Sequence, residues 1–264
     1  MNRLLYNKLQ RLKKKLKEHR GVVVAFSGGV DSSLLLKVAK EVLSENVIAV
    51  TARSETYSSA EFAQAKKIAK MLRCKHLSIR TAELKNKKFR NNSINRCYHC
   101  KLELFKQLKK IASRYGYDVI EASNRSDLKD FRPGLKATKR LNIKSPLIEV
   151  GLKKEEIRSL AKKFNLPNWN KPSMACLASR IPFGTKINRE NLKRIESAEF
   201  FLKKYGFIQI RVRDHFPIAR IEMHKSDFKK ILVHHDKIVR YFKKLGYKYV
   251  TLDLEGYRSG SLNP

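Results

Sequence analysis

The chain has 264 residues, 42% of them hydrophobic, with 59 Lys and Arg against 24 Asp and Glu, for a formal charge of +35. That length carries a full hydrophobic core and points to one large domain with one small one, while the longest apolar runs, such as "VVVAF" at 22–26, fall far short of the roughly 20 residues of a membrane span, so no membrane is expected. Four cysteines, and no apolar h-region in "MNRLLYNKLQRLKKKLKEHR", exclude a disulfide scaffold and place the chain in the reducing cytoplasm.

The first expected element is an amphipathic helix with Leu4, Leu5, Leu9, Leu12 and Leu16 on one face and basic residues on the other. "GVVVAF" follows as a buried parallel strand, because a continuous β-branched run suits a strand covered on both faces. "SGGVDSSLLLKVAKEVL" turns through two glycines into a helix. "NVIAVTA" reads as a strand, 59–72 as a helix with Phe62, Ala65, Ile68 and Leu72 on one face, and "KHLSI" as a strand. "CKLELFKQLKKIASRYG" (helix), "YDVIEAS" (strand), "LKATKRLNI" (helix), "SPLIEV" (strand) and "KKEEIRSLAKKFN" (helix) continue the alternation. Alternating strands and helices mean an α/β fold with a doubly wound, mostly parallel sheet, whose ligands sit beyond the carboxyl ends of the strands. Three of the seven prolines fall in 166–187, which reads as a linker or active loop carrying Cys176. Beyond it, a helix at 189–205, the strands "FIQIRVR" and "IARIEMH", more helix and "YKYVTLDL" make a small C-terminal α+β domain. The expected division is 1–170, an active-site loop at 171–187, and 188–264 for substrate binding or oligomerisation.

"SGGVDSS" at 27–33 stands between a strand and a helix. Gly28 and Gly29 let the backbone turn sharply and bring N–H groups against a ligand, and the helix offers its positive dipole end, so a phosphate fits there. The Gly-Lys-Ser/Thr ending of a Walker A loop is missing. The segment resembles the PP-loop of the ATP pyrophosphatases, of the adenine nucleotide alpha hydrolase-like fold, which split ATP into pyrophosphate and an AMP that activates a substrate oxygen. The resemblance implies that Ser27, Gly28, Gly29, Asp31, Ser32 and Ser33 hold the pyrophosphate moiety of ATP, with Mg²⁺ nearby. Adenylation converts a poor leaving group into a good one, which a soft nucleophile then displaces.

The cysteines bear on that nucleophile. Cys97 and Cys100 in "RCYHCK" have the spacing that lets two thiolates face one metal or iron–sulfur cluster, or form a redox dithiol. Cys74 at a helix–strand junction reads as a packed core residue. Cys176 is the natural third partner: three cysteines ligate three irons of a [4Fe–4S] cluster and leave the fourth open to a hydrosulfide.

The whole chain resembles the ATP-dependent sacrificial sulfur transferases of the LarE type, which build the nickel-pincer nucleotide cofactor of lactate racemase. The resemblance runs from the PP-loop through "RCYHCK", "DLKDFRPGL", "SPLIEVGL", "KPSMACLASRIPFGTKI" and "RVRDHFPIARIE" to "YVTLDLEGYRSGSLN". It implies that a carboxylate of pyridinium-3,5-biscarboxylic acid mononucleotide is adenylated and becomes a thiocarboxylate, with AMP and pyrophosphate released. In some members the sulfur is cut from the cysteine matching Cys176; in others a three-cysteine [4Fe–4S] cluster passes on external sulfide. Having Cys97, Cys100 and Cys176, this sequence resembles the second kind. A homo-oligomer and a sulfide or other sulfur donor are implied as well. Glu121 stands where a smaller acidic residue is expected.

On the substrate side, the two-residue strand period puts Arg211 and Arg213 on one face, where paired guanidinium forks suit a phosphate or carboxylates; salt bridges on a solvated face are the alternative. Arg180 either lowers the Cys176 pKa, binds phosphate or lies exposed, and Ser179 either binds ligand or caps a turn. Asp127, Asp130 and Arg132 read as helix caps and ion pairs or as Mg²⁺ ligands. The charge of +35 makes tRNA thiolation the rival reading, but the lysines are spread over nearly every expected helix and no RNA-binding module is appended, so nucleic acid is not the expected partner.

Overall fold

The computed structural model describes residues 2–172 and 175–262, so Ser173 and Met174 of the proline-flanked loop lie outside the described residues. In chain order the helices and strands are α1 (Arg3–Lys17), β1 (Val22–Ala25), α2 (Val30–Leu43), β2 (Val47–Arg53), α3 (Ser59–Met71), β3 (Lys75–Arg80), α4 (Lys87–Arg90), α5 (Arg96–Tyr115), β4 (Asp118–Ile120), α6 (Gly134–Arg140), α7 (Pro146–Glu149) and α8 (Lys154–Lys163). They continue with α9 (Arg189–Lys204), β5 (Ile210–His215), β6 (Ile218–Met223), α10 (Phe228–Val233), α11 (His235–Lys244) and β7 (Tyr249–Leu252). The chain divides into two compact units, Met1–Glu83 with Asn95–Met174 and Leu84–Ile94 with Ala175–Pro264.

The first unit is a four-stranded parallel sheet in the order β3-β2-β1-β4. Alternation along β1 fills both faces. Val22 and Val24 pack with α1, α2 and α8 in one core, and Val23 packs with Ile48, Val50 and the Phe105, Leu108 and Ala112 stripe of α5 in another. Both faces of this sheet are therefore covered, as a parallel sheet requires. Leu5, Leu9, Leu12 and Leu16 bury the inner stripe of α1, and the Asn2 side chain caps its start by accepting from the Leu5 N–H at 2.9 Å.

"SPLIEV" is not a strand. It forms the single turn of α7, with Pro146 at the first helical position, and the sheet is continued there only by an isolated bridge between Ile120 and Lys144. Proline has no N–H for a ladder and its fixed φ suits the opening of a helix, so the apolar Leu147, fully buried, reaches the core from a turn. "YDVIEAS" pairs with β1 only over Asp118–Ile120, and the next N–H, of Glu121, donates instead to the Lys144 carbonyl at 3.0 Å.

The second unit carries the three-stranded sheet β5-β6-β7, antiparallel across the first pair and parallel across the second. Ile210, Val212, Ala219, Ile221 and Met223 face the core made with α9, α10 and α11, which sends Arg211, Arg213, Arg220 and Glu222 to the opposite face. Residues 84–94 join this unit through hydrogen bonds from the Gly184 and Ile187 N–H groups to the Asn92 and Arg90 carbonyls, at 3.1 and 2.8 Å.

Candidate functional site

The phosphate loop of the first unit is built as its sequence predicts. Chain direction reverses between β1 and α2 at Gly28, whose φ of +70° lies in the left-handed region. A Cβ there would also stand 2.9 Å from the Ala65 Cα of α3, so both conformation and space demand glycine. Gly29 is the N-cap of α2 and offers no side chain, leaving capping of the first turn to other groups. Ser27 Oγ and Ser32 Oγ lie 3.1 Å apart, and Ser32 Oγ donates to the Gly29 carbonyl at 3.1 Å. Ser33 is fully buried and its Oγ accepts from Asn168 Nδ2 at 2.9 Å. Asp31, in the first turn of α2, pairs with Lys154 of α8 and accepts from Asn124 Nδ2 at 3.2 Å.

Beside Asp31 stands the loop after β4. Asn124 and Asp127 form a reciprocal capping box, and Asp127 pairs with Arg132 at 2.7 Å. Burial pushes the Asp127 carboxyl above its ordinary value despite Arg132. Asp127, Asp130 and Arg132 are thus a cap and ion pairs. Glu121 is buried among Lys101, Ser123 and Ser145, whose hydroxyls donate at 2.7 and 2.6 Å. Burial raises its carboxyl, but the Lys101 ammonium and the two hydroxyls outweigh that and hold it below its ordinary value. One carboxylate thus takes both serine hydroxyls, one on each oxygen.

The cysteines divide by environment. Cys74 is buried, its thiol donates to the Val47 carbonyl at 3.4 Å, and burial pushes its pKa up. Cys97 is exposed and Cys100 half-buried, both on the first turns of α5 in the first unit. The Cys100 thiol donates to Glu83 Oε1 at 3.7 Å, and Glu83, 2% exposed, also takes the Thr81 hydroxyl at 2.9 Å. Cys176 is half-buried and belongs to the second unit. Among the described residues no group of three or more His, Cys, Asp or Glu side chains is placed to hold a metal ion.

In the second unit Cys176 opens a 3-10 turn, Leu177–Arg180, and its carbonyl accepts from the Ser179 N–H at 2.9 Å. Arg180 is not a surface residue: it is 1% exposed, and its Nη1 donates to the Ala175 and Cys176 carbonyls and to Ser179 Oγ. Glu199 of α9 receives the other side of the fork, from Nε at 2.8 Å and Nη2 at 3.0 Å, and takes the Val212 N–H of β5 at 3.1 Å. Arg211 and Arg213 share one face as the strand period predicts, both nearly buried. Arg213 donates to the Ser179 carbonyl at 2.9 Å, to Glu222 at 2.7 Å and to Ser261 at 2.9 Å. Arg211 lies over the Tyr257 ring, and burial together with the neighbouring Arg180 depresses its pKa. The face is therefore buried, not solvated, and Arg180 and Arg213 both bond to the Cys176 turn. Asn168, Glu83, Glu199 and Ser261 are members of these networks that the sequence reading missed.

A family model described as NAD synthase matches residues 4–128. The pyridinium-3,5-bisthiocarboxylic acid mononucleotide synthase of Lactiplantibacillus plantarum is 38% identical over 250 residues, covering 94% of this chain and 91% of that one. The chain belongs to that synthase family. Uncharacterized proteins of Synechocystis sp. (40% identical, 98% of each chain) and Methanocaldococcus jannaschii (35%, 96% of this chain and 98% of that one) are similar over the same extent. The solved NMN synthetase of Francisella tularensis shares the fold, with a TM-score of 0.52 at 19% identity over 64% of this chain and 75% of that one. The family and the α/β architecture expected from the motifs are thereby borne out.

Proposed function

We propose that the chain is an ATP-dependent sulfur transferase that adenylates a carboxylate of pyridinium-3,5-biscarboxylic acid mononucleotide and replaces the activated oxygen with sulfur. The observation that carries this reading is the full-length relationship to the synthase named for the bisthiocarboxylic acid product, in a chain whose PP-loop and Cys176 turn are both built. Ser27, Gly28, Gly29, Ser32 and Ser33 receive the pyrophosphate moiety of ATP. Asp31 belongs to the same set, with Mg²⁺ nearby. Attack of the carboxylate on the α-phosphorus gives the acyl adenylate and pyrophosphate, and sulfur then displaces AMP. Arg211 and Arg213 recognise the anionic groups of the substrate, and Ser179 and Arg180 hold the turn that carries Cys176.

Two forms of sulfur delivery follow. Either a Cys176 thiolate attacks the adenylate and β-elimination leaves dehydroalanine, or Cys97, Cys100 and Cys176 hold a [4Fe–4S] cluster that carries external sulfide. The thiolate donors suit such a cluster, but the described residues do not assemble a three-ligand group, so no step is routed through it. The fuller reading adds a homo-oligomer in the cytoplasm, supplied by sulfide or a sulfur donor, with no nucleic-acid partner; no helix among the described residues is long and apolar enough to cross a membrane.

The deciding experiment is anaerobic purification with iron and acid-labile sulfide analysis of the wild type and of Cys97→Ala, Cys100→Ala and Cys176→Ala. About four irons per chain, lost in each variant, establish the cluster form. Absence of iron together with a mass loss of about 34 Da after turnover, the H₂S removed by β-elimination, establishes the sacrificial form. In either form Cys176→Ala abolishes thiocarboxylate formation and spares adenylation, read as pyrophosphate release; sulfur transfer retained in that variant refutes the proposal.

A further inference from the structure

The phosphate loop is fastened by a side chain about 140 residues away in sequence that no motif marks. Asn168 follows Pro167 in the segment after α8 and is 1% exposed. Its Nδ2 donates to the Gly28 carbonyl and to Ser33 Oγ, both at 2.9 Å. Its Oδ1 is buried and accepts no hydrogen bond among the described residues. Turned over, the amide would set Oδ1 against the Gly28 carbonyl, acceptor against acceptor, so the observed orientation is the one the loop selects. A buried acceptor left unpaired is a desolvation loss, and such losses persist where another demand overrides local satisfaction.

That demand is legible in the geometry. The peptide between Gly28 and Gly29 is planar, with carbonyl and N–H on opposite sides. Holding the Gly28 carbonyl inward therefore aims the Gly29 N–H the other way, to the Ser27 side of the loop, where its contact is a long 3.3 Å bond to Ser27 Oγ. The same amide fixes Ser33 Oγ in the first turn of α2. We infer that Asn168 is the positioning residue of the phosphate loop, presetting the Gly28–Gly29 peptide and the first turn of α2 for an anionic phosphate before nucleotide arrives. The inference rests on the reading of this loop as the pyrophosphate site and adds the residue that preorganises it.

Calorimetric titration of wild type, Asn168→Asp and Asn168→Ala with magnesium pyrophosphate, and separately with AMP, tests it. Loss of the two donated bonds weakens pyrophosphate about tenfold, the effect of one to two hydrogen bonds, while AMP, which brings no β- or γ-phosphate to the loop, stays within about twofold. Asn168→Leu, uncharged and of similar volume, removes both donors without burying a carboxylate and is titrated in place of any variant that fails to fold. Unchanged pyrophosphate affinity, or equal weakening of both ligands, overturns the inference. A wild-type protein that binds no pyrophosphate overturns the loop reading itself, and the unsubstituted titration tells that case from the other two.

Discussion

Glu199→Gln tests whether the Cys176 turn is held in place from beneath. Glu199, 3% exposed, accepts both nitrogens of one edge of the Arg180 fork and the Val212 N–H, while Arg180 grips the turn through the Ala175 and Cys176 carbonyls. Glutamine keeps the volume but places an NH₂ group against a guanidinium N–H and removes the carboxylate that Arg180 pairs with through Nε and Nη2. Removing one partner of a buried ion pair costs about 3–5 kcal/mol. The carbonyls and Ser179 Oγ still serve Nη1, which favours the lower end, about 3 kcal/mol. At roughly 2–4 °C per kcal/mol for a chain of this size, Tm falls by about 6–12 °C.

Burial pushes the Glu199 carboxyl up, but the Arg180 charge and its hydrogen bonds outweigh that and hold it below the ordinary value. A folded value below the unfolded one contributes stability that is complete above about pH 4.3 and is lost as pH falls through the folded value. The wild-type advantage over Glu199→Gln is therefore constant through neutral pH and shrinks only in acid. Scanning calorimetry across pH measures both quantities. A second readout is the alkylation rate of Cys176 in the folded protein, which rises as the turn loosens. Tm within about 2 °C of wild type, or an advantage that shrinks already between pH 8 and 6, refutes the reasoning.

Two further outcomes are expected. Gly28→Ala puts a Cβ 2.9 Å from the Ala65 Cα at a φ of +70°. The left-handed conformation alone costs about 1–2 kcal/mol, so ATP-dependent release of pyrophosphate falls at least about tenfold; a wild-type rate would remove the loop from the site. Iodoacetamide on the native protein, followed by peptide mapping, labels the exposed Cys97 and spares Cys74, whose thiol burial keeps protonated, until urea opens the fold; equal labelling of the two would contradict the packing described.

Local signals carried most of the first unit into view. The leucine stripe of α1, the β-branched run of β1 and the glycine turn are each decided by neighbours a few residues apart, and each stands where its sequence puts it. "SPLIEV" misled because its apolar residues are buried, as a strand's would be, while a single proline decides the backbone. The polar partners were illegible for a different reason. Glu190, Glu196 and Glu199 share α9, and only the tertiary fold selects Glu199 to meet Arg180, 19 residues away. Asn168 is likewise one asparagine among several in a proline-rich stretch. Nothing in hydrophobic periodicity distinguishes a polar side chain that will be buried against a distant loop from one that will face water.

The charge illustrates the same limit. A count of 59 basic against 24 acidic residues reads as a cationic surface, yet every basic residue buried among the described ones is an arginine: Arg96, Arg180, Arg211 and Arg213. The acids are spent inside. Glu199, Glu222, Asp214 and Glu121 are all buried, and each meets a cation, Arg180, Arg213, Arg194 and Lys101 respectively. Planar forks that bond several acceptors at once tolerate burial where a strongly hydrated ammonium does not. The large positive sum is thus carried mostly by solvated lysines, while the buried arginines Arg180 and Arg213 meet Glu199 and Glu222. Salt therefore screens the lysine surface strongly and the buried arginines weakly, so nucleotide binding is expected to persist at ionic strengths that abolish non-specific attraction to polyanions.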